Sequence, residues 1–473
     1  MFTVDDVSLR LISYGPRFST ADLSVEPDIL IAIEGMGTFK SVGLEESLRK
    51  IREKDLDLVE TASKMHREST KRGHASISTS LTIHFEINRC SRVSTMLLAA
   101  SPFGSFLQES QRRRIVQKDE FFSPKKIMES PEALEKYSKT IDLSWNTYKM
   151  FIDRGVPAED SRYVLPISSK TSIFVTGSLE SFMYLIYSSK CRSEVFYPYE
   201  LIRLGEMIEG LARKIAPILL DARLSFRSKY PSYPYPDPYK ERDIIMQEML
   251  SKYGFISEPL LLNMNVVGEI DKIVENVFND PVYSQSLNPI ISATFLEPLS
   301  LSAYHQSIRH RTVPTIVESI YTAVERAVKN LEKNIVIPPS IKSREDLSRE
   351  FLDTAGDMVD LYSKLLDEGY NPSEAVYICP QALKIYVVRT YNAFNLLWPQ
   401  GYVATRTCSY AQWEERAIAY SIWRAVEKAS PKIGSMMGEK CKHLGYCPER
   451  NWCPIIRKYY PGYNDEKHYE MNK

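Results

Sequence analysis

Gln306-Ser307-Ile308-Arg309-His310-Arg311 packs an amide, two guanidiniums and an imidazole into six residues, and Ser319 follows downstream. Read as a helix, the stretch sets Gln306 and Arg309 on one face at i, i+3, with His310 beside them. Arginine at such a site grips phosphate or a planar carbonyl through parallel N–H donors. A solvated basic face is the alternative reading. The stretch gains weight from a complementary polar fragment far upstream, Gln108-Glu109-Ser110-Gln111-Arg112-Arg113-Arg114.

The two fragments sit in halves that repeat one order. Tyr377-Ile378-Cys379-Pro380 answers Tyr163-Val164-Leu165-Pro166, and Arg406 with Glu414 answers Arg192 with Glu200. Gly369-Tyr370-Asn371-Pro372 answers Gly155-Val156-Pro157, and Ser319 answers Ser110. Offsets that barely change across four landmarks predict a tandem duplication and two similar domains paired pseudo-symmetrically. The expected boundaries are 1–229, a linker at 230–239, 240–437, and a cysteine-containing tail at 438–473. Lys229 to Tyr239 holds four prolines. Proline fixes φ and lacks an N–H, so this stretch forms no packed helix.

The rest of the chain bounds the class. With 473 residues, 44% hydrophobic and 25% charged, it reads as a soluble globular protein of two or three domains. Sixty basic and 60 acidic residues cancel, so bulk charge points to neither polymeric nucleic acid nor an anionic membrane. No apolar run approaches the ~20 residues of a membrane helix. MFTVDDVSLRL lacks a signal-peptide pattern, so the expected location is cytoplasmic. Seven cysteines do not make a disulfide scaffold. Leu81, Ile83, Phe85 and Ile87 alternate, which predicts a strand from Ser78 to Ile87. Val7–Ile12 and Ile29–Ile33 read as short strands or irregular segments. Helices are expected at 44–70, 130–153 and Tyr199–Ala216. No G-x-G-x-x-G, P-loop, H-E-x-x-H or G-x-S-x-G occurs.

At Arg309-His310-Arg311 with Ser319, the chain resembles the flavin-dependent thymidylate synthase family, whose signature is R-H-R-x-x-S-x-N-x-x-S-x-R. The second half keeps the R-H-R and the second serine; Pro314, Ile316 and Tyr321 stand where the family has Ser, Asn and the last Arg. Gln306 looks like the family's upstream glutamine. Arg406 with Ala411-Gln412-Trp413-Glu414 is similar to its downstream R…A-Q-x-E element. The first half keeps the other part: Ser105, Ser110 and Arg112 match, while Ala100-Ser101-Pro102 replaces R-H-R and Leu107 replaces Asn. Gly73-His74-Ala75-Ser76 resembles the flavin-contacting G-H-x-[ST] segment, and Arg192 matches the downstream arginine. Gln108 replaces an acidic residue. Ser172 and Tyr386 stand where the family has a further nucleotide arginine, with Lys170 and Lys384 nearby.

The resemblance implies an α+β fold of two tandem thymidylate-synthase-complementing-type domains, each a mixed or antiparallel sheet layer with long helices. It implies FAD as cofactor, NADPH and a reduced folate-type one-carbon carrier, and reductive methylation of a dUMP-like nucleotide to dTMP. Ser110 and Arg309 are the expected catalytic residues. Gln108, Ser110, Arg112, Arg192, Gln306, Arg309 and Arg406 would bind nucleotide, and His74, Ser76, His310 and Arg311 would face flavin. Each half carries part of the signature, so one composite site per pair is expected, in a homodimer equivalent to the family's four-subunit assembly. The alternative is a paralogue without turnover that binds nucleotide or flavin, or serves as a scaffold.

Cys441, His443, Cys447 and Cys453 fall within 13 residues of the tail. They fit a zinc site; three of them with Cys408 fit an iron–sulfur site; free thiols or one disulfide are the remaining reading.

Overall fold

The structure, a computed structural model, describes every residue except 20–23, 41, 55, 226–232, 234, 269–271 and 472–473, and not the side chains of 39, 40 and 52. Part of the expected linker, 230–232 and 234, thus lies outside the described residues. The chain forms two compact units, Met1–Lys240 with Pro338–Pro380, and Glu241–Ile337 with Gln381–Lys473.

In the first unit, β1 (Ser8–Gly15), β2 (Thr82–Ser91), β3 (Gly104–Gln108) and β4 (Lys170–Ser178) form an antiparallel sheet in the order β1-β2-β4-β3. Leu81, Ile83, Phe85 and Ile87 are fully buried, as their alternation requires. The strand begins at Thr82 rather than Ser78, because Ser76–Ser80 winds into a helical turn. There the Ser78 hydroxyl donates to Glu180 at 2.6 Å, a partner beyond the reach of any local pattern.

Ile29–Ile33 is helical, within Pro27–Lys40. A short apolar run fits a buried helix as well as a strand; here Leu30 and Ile33 pack on Val25, Leu48 and Ile51. Gly35 lets that helix close on its neighbours, since a Cβ there would lie 2.7 Å from Met65 and 2.9 Å from Ile77. The expected long helices are present as Pro131–Asp153 and Tyr199–Ile215. Ser130 caps the first, and Pro131 sits at its opening position, where the missing N–H costs nothing.

Glu345–Asp367, although late in sequence, belongs to this unit and packs against Pro131–Asp153. Phe151 stacks on Phe351 at 6.1 Å, and the Thr147 and Thr354 hydroxyls meet at 2.9 Å.

The described part of the proline-rich stretch is packed as well: Tyr235, Asp237 and Tyr239 are buried. The Tyr235 hydroxyl donates to the Ser181 carbonyl and the Tyr239 hydroxyl to that of Val93, at 2.6 Å for the latter. Proline forbids the helix but not the burial, because tyrosine hydroxyls find main-chain acceptors.

In the second unit, β5 (Leu260–Val266), β6 (Ile291–Ser300), β7 (Thr315–Val317) and β8 (Lys384–Asn392) repeat the same antiparallel order, β5-β6-β8-β7. The fold is therefore α+β, with two tandem domains of one topology.

A further device recurs. The last residue of β2 and of β6 is a serine that caps the following helix. Ser91 gives its N–H to Glu200 at 2.8 Å and its hydroxyl to the other oxygen. Ser300 does the same with Glu414, at 2.7 and 2.6 Å. Both glutamates are buried. Leaving such donors unpaired would cost ~1–3 kcal/mol each, which explains why the two glutamates appear as landmarks at one offset. Among the described residues, no helix is long and apolar enough to cross a membrane.

Candidate functional site

The helix opened by Ser300 runs Leu301–Ser307 and stops inside the polar stretch. Gln306 is in its last turn, and Arg309, His310 and Arg311 lie in the turn that follows, where the His310 N–H donates to the Ser307 carbonyl at 2.9 Å. The expected continuous helix over 306–311 is therefore not formed. Ser307 is held from afar: Arg389 of β8 donates to its hydroxyl.

Arg406, at the end of the short helix Tyr402–Arg406, completes the cluster. Its Nε–H donates to His310 Nε2 at 2.9 Å, and an Nη donates to the Gln306 carbonyl at 3.2 Å. A guanidinium only donates, so the imidazole accepts, is neutral, and carries its proton on Nδ1. Burial first, then the cationic charges of Arg406 and Arg389, push the His310 pKa well below the usual imidazole range. The Tyr402 ring meets the imidazole edge-on at 4.9 Å.

Beneath lies a buried acidic layer. Glu297 accepts from Arg389 at 3.0 Å and from the Tyr391 hydroxyl at 2.7 Å, and burial raises its pKa to about 7. Glu415 accepts from the Tyr402 hydroxyl at 3.2 Å and stands 3.5 Å from Arg406. Gln306 Nε2 and Glu415 Oε1 are buried without a hydrogen-bond partner. Arg309 and Arg311 are exposed at the rim.

In the first unit, the Gln108 amide donates to the Thr95 and Thr171 hydroxyls at 2.9 and 3.2 Å. Ser110 is exposed, and its hydroxyl accepts the Arg112 N–H at 3.3 Å. The Arg112 side chain is met by Glu159 at 2.7 Å through both Nε and an Nη. His74 and Ser76 are exposed, after Gly73 turns the chain through φ 78°. Arg192 is engaged differently from Arg406. It is paired with buried Asp237, donates to the Tyr239 carbonyl, and lies over the Tyr197 ring at 4.7 Å.

A model described as thymidylate synthase complementing protein matches residues 25–218 and again 242–432. The chain belongs to that family, twice over in tandem. Among similar members, a flavin-dependent thymidylate synthase of Pyrococcus abyssi is 31% identical over 169 residues, 34% of this chain and 68% of that one. One from Nitratidesulfovibrio vulgaris is 30% identical over 210 residues, 41% and 81%. The crystal structure of a UMP/dUMP methylase from Streptomyces cacaoi, bound with 5-Br dUMP, superposes with a TM-score of 0.38 at 15% identity, covering 49% of this chain and 100% of that one.

Two features of this family member are not decided by the sequence. The first is a cleft of about 580 Å³ in the second unit, walled by Phe255 and Tyr386 and lined by Arg326, Lys329, Lys333 and Lys384. Arg326 is fixed there by Glu318, at 2.8 Å, and lies over the Tyr386 ring at 5.0 Å. The only sequence signal was Lys384 near a family arginine position; the other cations arrive from the helix Ile320–Lys329 and the residues after it.

The second is the arrangement of the tail. Cys408, Cys441, Cys447 and Cys453 line one small cleft, whereas the His443 ring packs edge-on against Phe278 at 6.5 Å.

Proposed function

We propose that this chain binds a uracil nucleotide and FAD at the Arg309–His310–Arg406 cluster and carries out FAD-dependent reductive methylation of dUMP to dTMP. The observation that carries this reading is Gln306. Its side-chain amide nitrogen is buried without a partner, and its main-chain carbonyl is held by Arg406. An unpaired buried donor costs ~1–3 kcal/mol, and a uracil carbonyl or phosphate oxygen would satisfy it together with the guanidiniums.

The residues also fit FAD. Neutral His310 presents an N–H, and exposed Arg309 and Arg311 suit a pyrophosphate. When bound, FAD supplies the hydride; a reduced folate-type carrier brings the one-carbon unit, and NADPH the reducing equivalents. Arg309 and Arg406 hold phosphate or the uracil carbonyl and offset negative charge developing there. The front loop, Gln108 to Arg112, closes on the same nucleotide, with Glu159 holding Arg112 in position. Arg192 backs the front copy, and His74 and Ser76 contact flavin. The working form is a cytoplasmic homodimer, equivalent to a pseudo-tetramer.

A second reading, a paralogue that binds nucleotide or flavin without turnover, is favoured by Arg192, whose charge is already met by the chain's own Asp237.

Purified protein separates the two. Flavin absorbance, thermal stabilisation by dUMP of ~2.7 kcal/mol at a hundred times its Kd, and dTMP formation support the enzyme. Ligand binding without dTMP supports the paralogue. Arg309→Ala and Ser110→Ala should each abolish dUMP binding; if Ser110→Ala binds normally, the composite site is wrong.

A further inference from the structure

We propose that Cys408, Cys441, Cys447 and Cys453 hold a [4Fe–4S] cluster. Four thiols converge on one cleft, together with Glu439 and Lys440. None is in a disulfide, and Cys441 stands within electrostatic reach of the other three. Among the described residues, no three His, Cys, Asp or Glu side chains are spaced to hold one ion. A single zinc draws each sulfur to ~2.3 Å. A cluster takes its four thiolates at separate corners and suits a wider ring.

The cleft is built rather than accidental. The Cys447 N–H donates to the Tyr463 hydroxyl at 3.1 Å, that hydroxyl meets His468 Nδ1 at 3.0 Å, and His468 Nε2 meets the Arg450 carbonyl at 3.0 Å. This relay fixes the loop from Cys447 to Cys453. Main-chain N–H groups of Glu449 and Cys453 point at the Cys447 sulfur, and that of Tyr410 at the Cys408 sulfur, as donors that would stabilise thiolate. Buried Glu439 anchors the opposite wall by accepting from the Tyr420 hydroxyl at 2.7 Å and from Tyr459.

A cluster would also add a staple to the tail. Its own core is Cys441, Cys447, Ile456 and Tyr463, with four half-buried aromatic or aliphatic neighbours, too little apolar surface for so short a segment to hold its shape alone. Binding the cluster would release the four thiol protons and close the tail on Cys408. Cys408 follows Arg406 by two positions, so the same ligand would fix the end of the helix that carries the site arginine.

The test is the whole 473-residue chain, purified without oxygen and reconstituted with ferric iron, sulfide and dithiothreitol as the reductant. About four irons and four acid-labile sulfides per chain are expected, with an electron paramagnetic resonance signal after reduction. Acid-labile sulfide is independent of any flavin colour. Cys408→Ala and Cys453→Ala should lose the sulfide, while Cys191→Ala, an exposed cysteine elsewhere, keeps it. One zinc per chain without sulfide, two disulfides by thiol titration, or full sulfide in Cys408→Ala would each overturn the assignment. The wild-type count decides if the variants fail to fold.

Discussion

Replacing Arg406 by methionine probes the electrostatic frame of the site. The arginine donates to His310 Nε2 at 2.9 Å and to the Gln306 carbonyl at 3.2 Å, and stands 3.5 Å from Glu415. Its side chain is 17% exposed and that of Glu415 0%, so solvent screens the pair little. Hydrogen bonds from a charged donor contribute ~1.5–3 kcal/mol each, and stripping a buried carboxylate of its cation costs ~3–5 kcal/mol. The terms share one group and do not add, so the expected loss is ~3–5 kcal/mol, read from denaturant unfolding followed in the second unit. Glu415→Gln in the same chain removes the orphaned charge and should restore at least ~1 kcal/mol. With the like charge gone, the His310 pKa should also climb, which imidazole NMR would follow. A loss below ~1 kcal/mol, or strict additivity of the two substitutions, would refute the reasoning.

Other substitutions test separate parts. Asp237→Asn frees Arg192, so calorimetry should find a second, weaker class of dUMP or phosphate site; unchanged stoichiometry means that Arg192 stays locked by Tyr239. Glu200→Gln and Glu414→Gln weaken the two serine caps, and each should cost ~1–3 kcal/mol by chemical denaturation; a neutral result at either would remove the cap from the account. Glu297 fixes a pH dependence. Unfolded, it loses its proton near 4.5, and folded, only near about 7. The folded state therefore binds the extra proton within that window, and this group's contribution to stability falls as pH rises through it, by at most ~1.4 kcal/mol per unit. Glu297→Gln should flatten that slope in unfolding measured across the window.

Period and spacing exposed what local chemistry controls. The alternation of Leu81 to Ile87 located a strand, the apolar spacing of Tyr199–Ile215 a helix, and the constant offsets a repeated topology. The misplacements share one cause, a partner distant in sequence. Ser307 ends its helix where Arg389, 82 residues on, takes its hydroxyl. Four prolines exclude a helix around Asp237 and point to a linker, yet its mate Arg192 lies 45 residues back. Proximity along the chain groups His443 with the tail cysteines, while the fold sets Phe278 against its ring. Arg309, His310 and Arg311 stand out in the sequence because they are consecutive; the cations around Tyr386 do not, because three segments bring them.

The pairing of Pro131–Asp153 with Glu345–Asp367 bears on how such a gene can evolve. Splitting the chain in its proline-rich stretch would give a front piece with Thr147 and Phe151 stripped of their partners, and a rear piece whose helix Glu345–Asp367 has no surface for its apolar face. Residues in either half can change one at a time, but these two helices have to be kept together. The connection between the halves is therefore part of what stabilises the first unit.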